Sequence, residues 1–295
     1  MKHVFIICGP TASGKTALSI NLAKRLNTQI ISTDSRQVFR ELNIGVAKPD
    51  SLELATIKHH FIGCVSIWEE FTAGRFAREA REFLNHYFDE NDSIVICGGT
   101  GLYINALTKG IDRSPVNEDV RIEVNSWLEK FGLEFLVKKL QEFDPQITAQ
   151  MQLDNPRRVQ RMLEWVLSGK PVSMADDWPN DWKIHKFGIE LPREVLYERI
   201  NKRVDHMIEA GLWNEASNLF EQRNQNALQT VGYQEIFESI SGNADPKLAI
   251  EKIKQHTRNY AKRQMTWFKK DLEISWLSSL NQAEMVDEIL ASQGN

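Results

Sequence analysis

Apolar residues follow two rhythms along this chain, and the change from one to the other divides it. Short unbroken apolar runs mark strands buried on both faces of a parallel sheet. They occur at Val4-Phe5-Ile6-Ile7-Cys8, Gln29-Ile30-Ile31-Ser32-Thr33, Ser93-Ile94-Val95-Ile96-Cys97 and Lys186–Leu191. Between them apolar residues recur at helical spacing: Leu18, Leu22 and Leu26 after the first run, then Phe76, Ala80, Phe83, Leu84 and Tyr87 within Thr72–Phe88. Strand and helix alternating in this way predict an α/β fold, a parallel sheet flanked by helices. From about Asp119 to Gly169 the strand rhythm lapses. Leu133, Leu136, Val137 and Leu140 keep helical spacing there, as do Val159, Met162, Leu163 and Val166. Asn155-Pro156 reads as a helix start, with Asn as cap and Pro at the first position. Trp178-Pro179-Asn180-Asp181-Trp182 reads as a loop, and Pro192 opens a long helix ending near Gly211. The pattern predicts a core in two parts, residues 1–110 and 185–295, interrupted by a helical insertion at 111–184.

Composition changes this picture little. With 295 residues, 42% hydrophobic and 26% charged, the chain has the makeup of a globular domain with a full core. Cys8, Cys64 and Cys97 are scattered and lack metal-ligand spacing, which predicts a reducing, cytoplasmic setting without disulfides or zinc. No apolar run reaches membrane-spanning length, and the first one is too short for a signal segment. No coiled-coil stripe is present, so a monomer is expected. Charge is less even. Lys252, Lys254, Arg258, Lys262, Arg263, Lys269 and Lys270 put +7 on a stretch free of Asp and Glu, leaving −11 to the rest of a chain whose total is −4. Such asymmetry suits a polyanionic partner or a solvated helix face. Tyr260, Trp267 and Phe268 lie in the same stretch, to pack in the core or to stack on bases.

The chemistry is concentrated in Gly9-Pro10-Thr11-Ala12-Ser13-Gly14-Lys15-Thr16, which fits the phosphate-binding loop pattern between a strand and a helix. Glycines let the backbone curl its N–H groups inward at phosphate oxygens. The helix N-terminus and Lys15 add positive potential, and the Thr16 hydroxyl can hold Mg²⁺. The fold is therefore expected to be of the P-loop NTPase kind. The strand ending at Cys97 runs into Gly98-Gly99-Thr100 without a carboxylate, unlike a typical NTPase. Asp34, at the end of the second strand, is the acid that shares the crevice beyond the strand ends. It is a candidate base or metal ligand, with a turn or cap role as the alternative. Arg199 and Arg203, four residues apart on the helix after Pro192, share a face and could clamp the charge of a leaving phosphate.

Eight segments together resemble the tRNA dimethylallyltransferase family, bacterial type. They are Gly9–Thr16, Ser32–Phe39, Asn43–Pro49, His59–Ile62, Gly98–Tyr103, Asn155–Arg161, Val231–Tyr233 and Arg258–Phe268. The resemblance implies transfer of a dimethylallyl group from dimethylallyl diphosphate to N6 of the adenosine 3′ to the anticodon, with pyrophosphate released. It implies that Gly9, Pro10, Thr11, Ala12, Ser13, Gly14, Lys15 and Thr16 bind the diphosphate with Mg²⁺ on Thr16. Thr11, Lys15 and Arg203, or Arg199, would stabilise the leaving group, and Asp34 would take the N6 proton. The anticodon stem-loop of the tRNA would meet Asp34, Ser35, Arg36, Gln37, Thr100 and Arg121. It would also meet Arg158, Val159, Gln160, Arg161 and Met162, then Thr230, Val231, Gly232, Tyr233, Gln234 and Glu235. The target base would be turned out of its loop to react.

Two positions depart from the family pattern. Gly63 stands where an Asp is usual after the His-His-x-Ile run, and Gln234 where many members carry Lys or Arg. His59 and His60 read as structural, since no metal-ligating set surrounds them in the sequence. The alternatives are a P-loop nucleoside or nucleotide kinase, a prenyltransferase acting on free adenine nucleotides, and an RNA-binding module whose phosphate loop is only structural.

Overall fold

The structure, a computed structural model, describes residues 1–110, 117–169, 178–179 and 181–292. Asn180 of the expected loop and residues 111–116 of the expected insertion lie outside the described residues, as do 170–177. The chain forms two compact units, Met1–Thr108 with Trp178–Asn295, and Lys109–Asp177.

The first unit is built on six parallel strands: β1 (Lys2–Cys8), β2 (Ile30–Ser32), β3 (His59–His60), β4 (Ser93–Gly98), β5 (Trp182–Ile189) and β6 (Ile274–Leu277). Their order across the sheet is β3-β2-β4-β1-β5-β6, and every neighbouring pair is parallel. Both faces of β1 are buried, which explains its continuous apolar run. Phe5 and Ile7 pack with Leu18, Leu22, Val286 and Ile289 on one side. Val4 and Ile6 pack with Phe76, Leu84 and Ile104 on the other. The helices Lys15–Leu26 and Gln282–Ala291 cover the first face; Ala73–Glu90 and Gly101–Lys109 supply residues to the second.

Two strands carry no sequence signal of their own. β3 is only His59–His60, and β6 follows directly on the basic helix Pro246–Phe268. β5 begins at Trp182, so the sheet takes up residues 182–184 that the apolar pattern assigns to the insertion. Lys183 and His185 interrupt the apolar run there and hide the start of the strand.

The second unit is helical among its described residues: Glu118–Phe143, Pro145–Gln150 and Pro156–Leu167. Gly132 breaks the first of these with a φ of 78°. The Asn155 side chain accepts from the Arg158 N–H, with Pro156 at the first helical position. Val124, Leu136, Leu140, Val159 and Leu163 form its buried core.

Candidate active site

Parallel strands gather their carboxyl ends on one edge of the sheet, where ligands of open α/β folds bind. Here β1 runs into the phosphate loop, β2 into Asp34 and β4 into Gly98-Gly99-Thr100. The loop needs glycine at two places: Gly9 has a φ of 144° and Gly14 a φ of 98°, values that L side chains resist. Lys15 lies at the floor, its ammonium 2.6 Å from the Pro10 carbonyl. Burial lowers its pKa to about 8; the neighbouring Cys97 and Asp34 raise it and Arg203 lowers it.

Two joined cavities open at this edge. The inner one, about 80 Å³, is lined by Thr11, Lys15 and Thr16 on the phosphate-loop side and by Val46, Pro49 and Ile62 on an apolar side. The outer one, about 360 Å³, reaches Gly45, Gly232, Tyr260 and Arg263. Thr11, Asp34, Arg203 and Tyr260 line both cavities and so stand at their junction.

Asp34 is held by its own turn. Its Oδ1 accepts from the Arg36 N–H at 2.8 Å and the Gln37 N–H at 3.2 Å. This is the turn role that the sequence left open, and it fixes the carboxylate at the cavity junction. Arg203 reaches the junction from the helix Arg193–Glu209. Burial pushes its guanidinium pKa below the ordinary value, and Asp34 pulls it back up. Arg199, one turn earlier, lines neither cavity; its Nη1 donates to the Ser13 carbonyl at 3.4 Å. The geometry thus separates two arginines that spacing alone leaves equivalent.

The basic helix Pro246–Phe268 closes the site. Gln264, buried on its inner face, accepts from the Thr11 N–H at 2.8 Å and donates to the Gly99 carbonyl at 2.9 Å. Tyr260 stands one turn away, partly exposed. Burial raises its hydroxyl pKa to about 12, and the charge of Asp34 adds to the rise. Trp267 is half exposed, while Phe268 belongs to the core.

These features form a cleft with the phosphate-loop pattern on one side and the Asp34 carboxylate at the junction of its cavities. The IPP transferase family profile matches residues 37–271. The chain belongs to the IPP transferase family. It is 46% identical over 280 residues to a tRNA dimethylallyltransferase of Cytophaga hutchinsonii, covering 93% of this chain and 92% of that one. It is 41% identical to one of Flavobacterium johnsoniae, covering 98% of each. Its structure resembles a tRNA isopentenylpyrophosphate transferase from Bacillus halodurans, with a TM-score of 0.75 and 33% identity over 100% of this chain and 96% of that one. It also resembles a eukaryotic dimethylallyltransferase acting on tRNA, with a TM-score of 0.79 and 28% identity over 100% and 78%.

As an IPP transferase, the chain gives its RNA-contact candidates different surroundings. Ser35 and Thr100 pair at the cleft rim, the Ser35 N–H donating to Thr100 Oγ1 at 3.1 Å. Arg36 is a brace: its guanidinium donates to the carbonyls of Asn226, Ala227 and Gln229. Gln37 ties down the carbonyls of Val46 and Ala47. Thr230, Val231, Gly232 and Gln234 line the outer cavity. Tyr233 is fully buried and Glu235 nearly so, so neither side chain offers a surface to RNA. Glu235 instead accepts from the Gly232 N–H and pairs with His256.

In the second unit Arg158 is exposed and bonded to Gln152, and Gln160 to Asn125. Val159 is core, as is the inner side of Met162. Arg121 and Arg161 flank the buried Glu164 at 4.0 and 3.3 Å. His59 and His60 bond to the Ile57 carbonyl and to Gln29, and burial lowers both imidazole pKa values, that of His60 to about 4. Gly63 takes a φ of 58° at the end of this turn. Gln264 and Glu215 were missed from the sequence. Gln264 had one signal: a polar residue on the buried stripe of Ala261 and Phe268.

Proposed function

We propose that this chain is a tRNA dimethylallyltransferase. It moves a dimethylallyl group from dimethylallyl diphosphate to N6 of the adenosine 3′ to the anticodon and releases pyrophosphate. The observation that carries this reading is the pair of joined cavities with Asp34, Thr11 and Arg203 at their junction. The inner one offers phosphate donors on one side and apolar residues on the other, as a prenyl diphosphate requires. The outer one suits a base turned out of an RNA loop.

The exocyclic amine of adenine is a weak nucleophile, because its lone pair is delocalised into the ring. The allylic C1–O bond, in contrast, breaks readily once charge on the leaving diphosphate is dispersed. N6 bonds to C1 as the C1–O bond breaks, and the bond pair leaves with pyrophosphate. Lys15, Arg203 and the loop N–H groups meet that charge, with the Thr11 hydroxyl beside them. With Oδ1 of Asp34 engaged in its turn, Oδ2 takes the proton lost from N6. Arg199, bonded to the Ser13 carbonyl, braces the loop.

Mg²⁺ fits the donors of the inner cavity. Thr16, at the helix start, would hold it through a hard oxygen, with the diphosphate and water as its other partners, since this ion is seldom held by protein alone. When bound, it would offset diphosphate charge.

The RNA is held by Ser35, Thr100, Tyr260 and Arg263 around the cleft. In the second unit the exposed Arg158 and Arg161 and the half-buried Arg121 contact its phosphates. Incubation with dimethylallyl diphosphate and a synthetic anticodon stem-loop, followed by mass analysis of the RNA, tests the reading. A C5H8 increment on the target adenosine is expected. ATP consumption with unmodified RNA would instead favour a kinase.

A further inference from the structure

Asn43–Pro49 supplies no reacting or charge-bearing group to the chemistry above, yet it lines both cavities. Gly45 and Val46 face the outer one, and Val46 and Pro49 the inner one. Thr230, Val231, Gly232 and Gln234 also line the outer cavity. One carboxylate ties the two together. Glu215, on the short helix Leu212–Asn218, accepts from the Ile44 N–H at 2.9 Å and the Gly45 N–H at 3.0 Å. It also accepts from the Tyr233 hydroxyl at 2.5 Å. Leu212 of this helix lines the outer cavity, whereas Glu215 itself lines neither cavity.

The fit around this carboxylate is tight. The Tyr233 ring lies so close to Gly45 that an added Cβ would come within 2.5 Å of it. Tyr233 is fully buried, and burial and its bond to Glu215 both raise its hydroxyl pKa well above the ordinary value. A phenol so placed is a permanent donor. Val46 and Ala47 are held in turn by Gln37, and Lys48 donates to the Phe39 carbonyl at 2.6 Å. The loop is thus pinned along its length, and Glu215 is the pin that joins it to the Thr230–Gln234 segment.

We propose that Glu215, with Tyr233, is a positioning residue that sets the width of the outer cavity and so the affinity for the RNA substrate. The inner phosphate site does not depend on it. The inference rests on the proposed transferase reaction for what occupies the outer cavity.

Two variants test it. Glu215→Gln keeps the volume but turns an amide N–H₂ toward backbone N–H donors. Tyr233→Phe keeps the ring and deletes one hydrogen bond. KM for the stem-loop is expected to rise about tenfold in the first and about threefold in the second. Affinity for inorganic pyrophosphate, measured by calorimetry, stays within about twofold in both. Hydrogen exchange at the Ile44 and Gly45 amides speeds up in both, a readout independent of any activity. Should Glu215→Gln fail to fold, Tyr233→Phe carries the same test. Unchanged exchange at these amides overturns the proposal, as do parallel losses for RNA and pyrophosphate that track the folded fraction. If wild type transfers nothing to the stem-loop, the reaction fails, while exchange still reports on the pin.

Discussion

Gln264 accepts a hydrogen bond from the Thr11 N–H at 2.8 Å and thereby joins the basic helix Pro246–Phe268 to the phosphate loop. The same amide donates to the Gly99 carbonyl beyond β4, so three segments of the site meet at one buried side chain. Gln264→Leu removes both bonds from an enclosed position and leaves the Thr11 N–H and the Gly99 carbonyl unpaired. Thermal unfolding is expected to show a loss of about 1–3 kcal/mol. Because Thr11 stands at the cavity junction, kcat for transfer falls at least about tenfold beyond any loss of folded protein.

Lys15 gives the site a pH dependence. Its pKa without ligand is lowered to about 8, chiefly by burial, whereas a bound diphosphate favours the ammonium. Binding must therefore take up a proton above pH 8, and the Kd for a diphosphate monoester weakens toward about tenfold per pH unit there. The sign for stability is opposite. With the folded-state pKa below the ordinary 10.5, the folded protein binds fewer protons between about 8 and 10.5, so this group adds stability as pH rises through that window. Calorimetric titrations from pH 7 to 9.5 check the first effect, and Lys15→Met should flatten the profile as well as weaken binding.

Arg203 and Arg199 differ in place, and so in consequence. Arg203 lines both cavities, whereas Arg199 lines neither and bonds to the Ser13 carbonyl. Arg203→Ala is expected to lower kcat by about 10²–10³, the scale for losing a group that meets developing charge. Arg199→Ala should cost about tenfold or less, as a brace would. Steady-state kinetics on the two variants side by side decide the assignment; equal losses would contradict it.

Gly98 tests how the sheet positions the base. A Cβ there would lie 2.1 Å from Thr33 Oγ1 and 2.8 Å from the Thr33 carbonyl carbon. Gly98→Ala must push the end of β2 outward, and Asp34 with it. A loss of about 1–3 kcal/mol is expected from chemical denaturation, with transfer activity falling further than the loss of folded protein explains.

The sheet strands with continuous apolar runs were legible because both faces of each are buried; β1 and β4 needed nothing else. β3 and β6 were not, since His59–His60 and the short Ile274–Leu277 take their place from pairing with neighbours rather than from their own pattern. The phosphate loop and Asp34 could be read from residue type and position. Roles within the RNA-contact segments could not. Arg36 and Gln37 have the chemistry of RNA contacts, yet they spend it on carbonyls of the protein itself. Tyr233 stands among the implied RNA contacts and is fully buried. Glu215 sits on a helix too short to show a face, and only its partners from distant segments reveal what it does.

The most direct measurement is single-turnover transfer of a labelled dimethylallyl group to an anticodon stem-loop, comparing wild type with Asp34→Ala. Wild type should place label on the adenosine 3′ to the anticodon. The variant should bind both substrates and transfer about 10²–10⁴-fold more slowly, the range for loss of a general base. Label that reaches the RNA equally fast with Asp34→Ala would contradict the proposed role of Asp34. No label from wild type, with ATP hydrolysed in its place, would contradict the transferase itself.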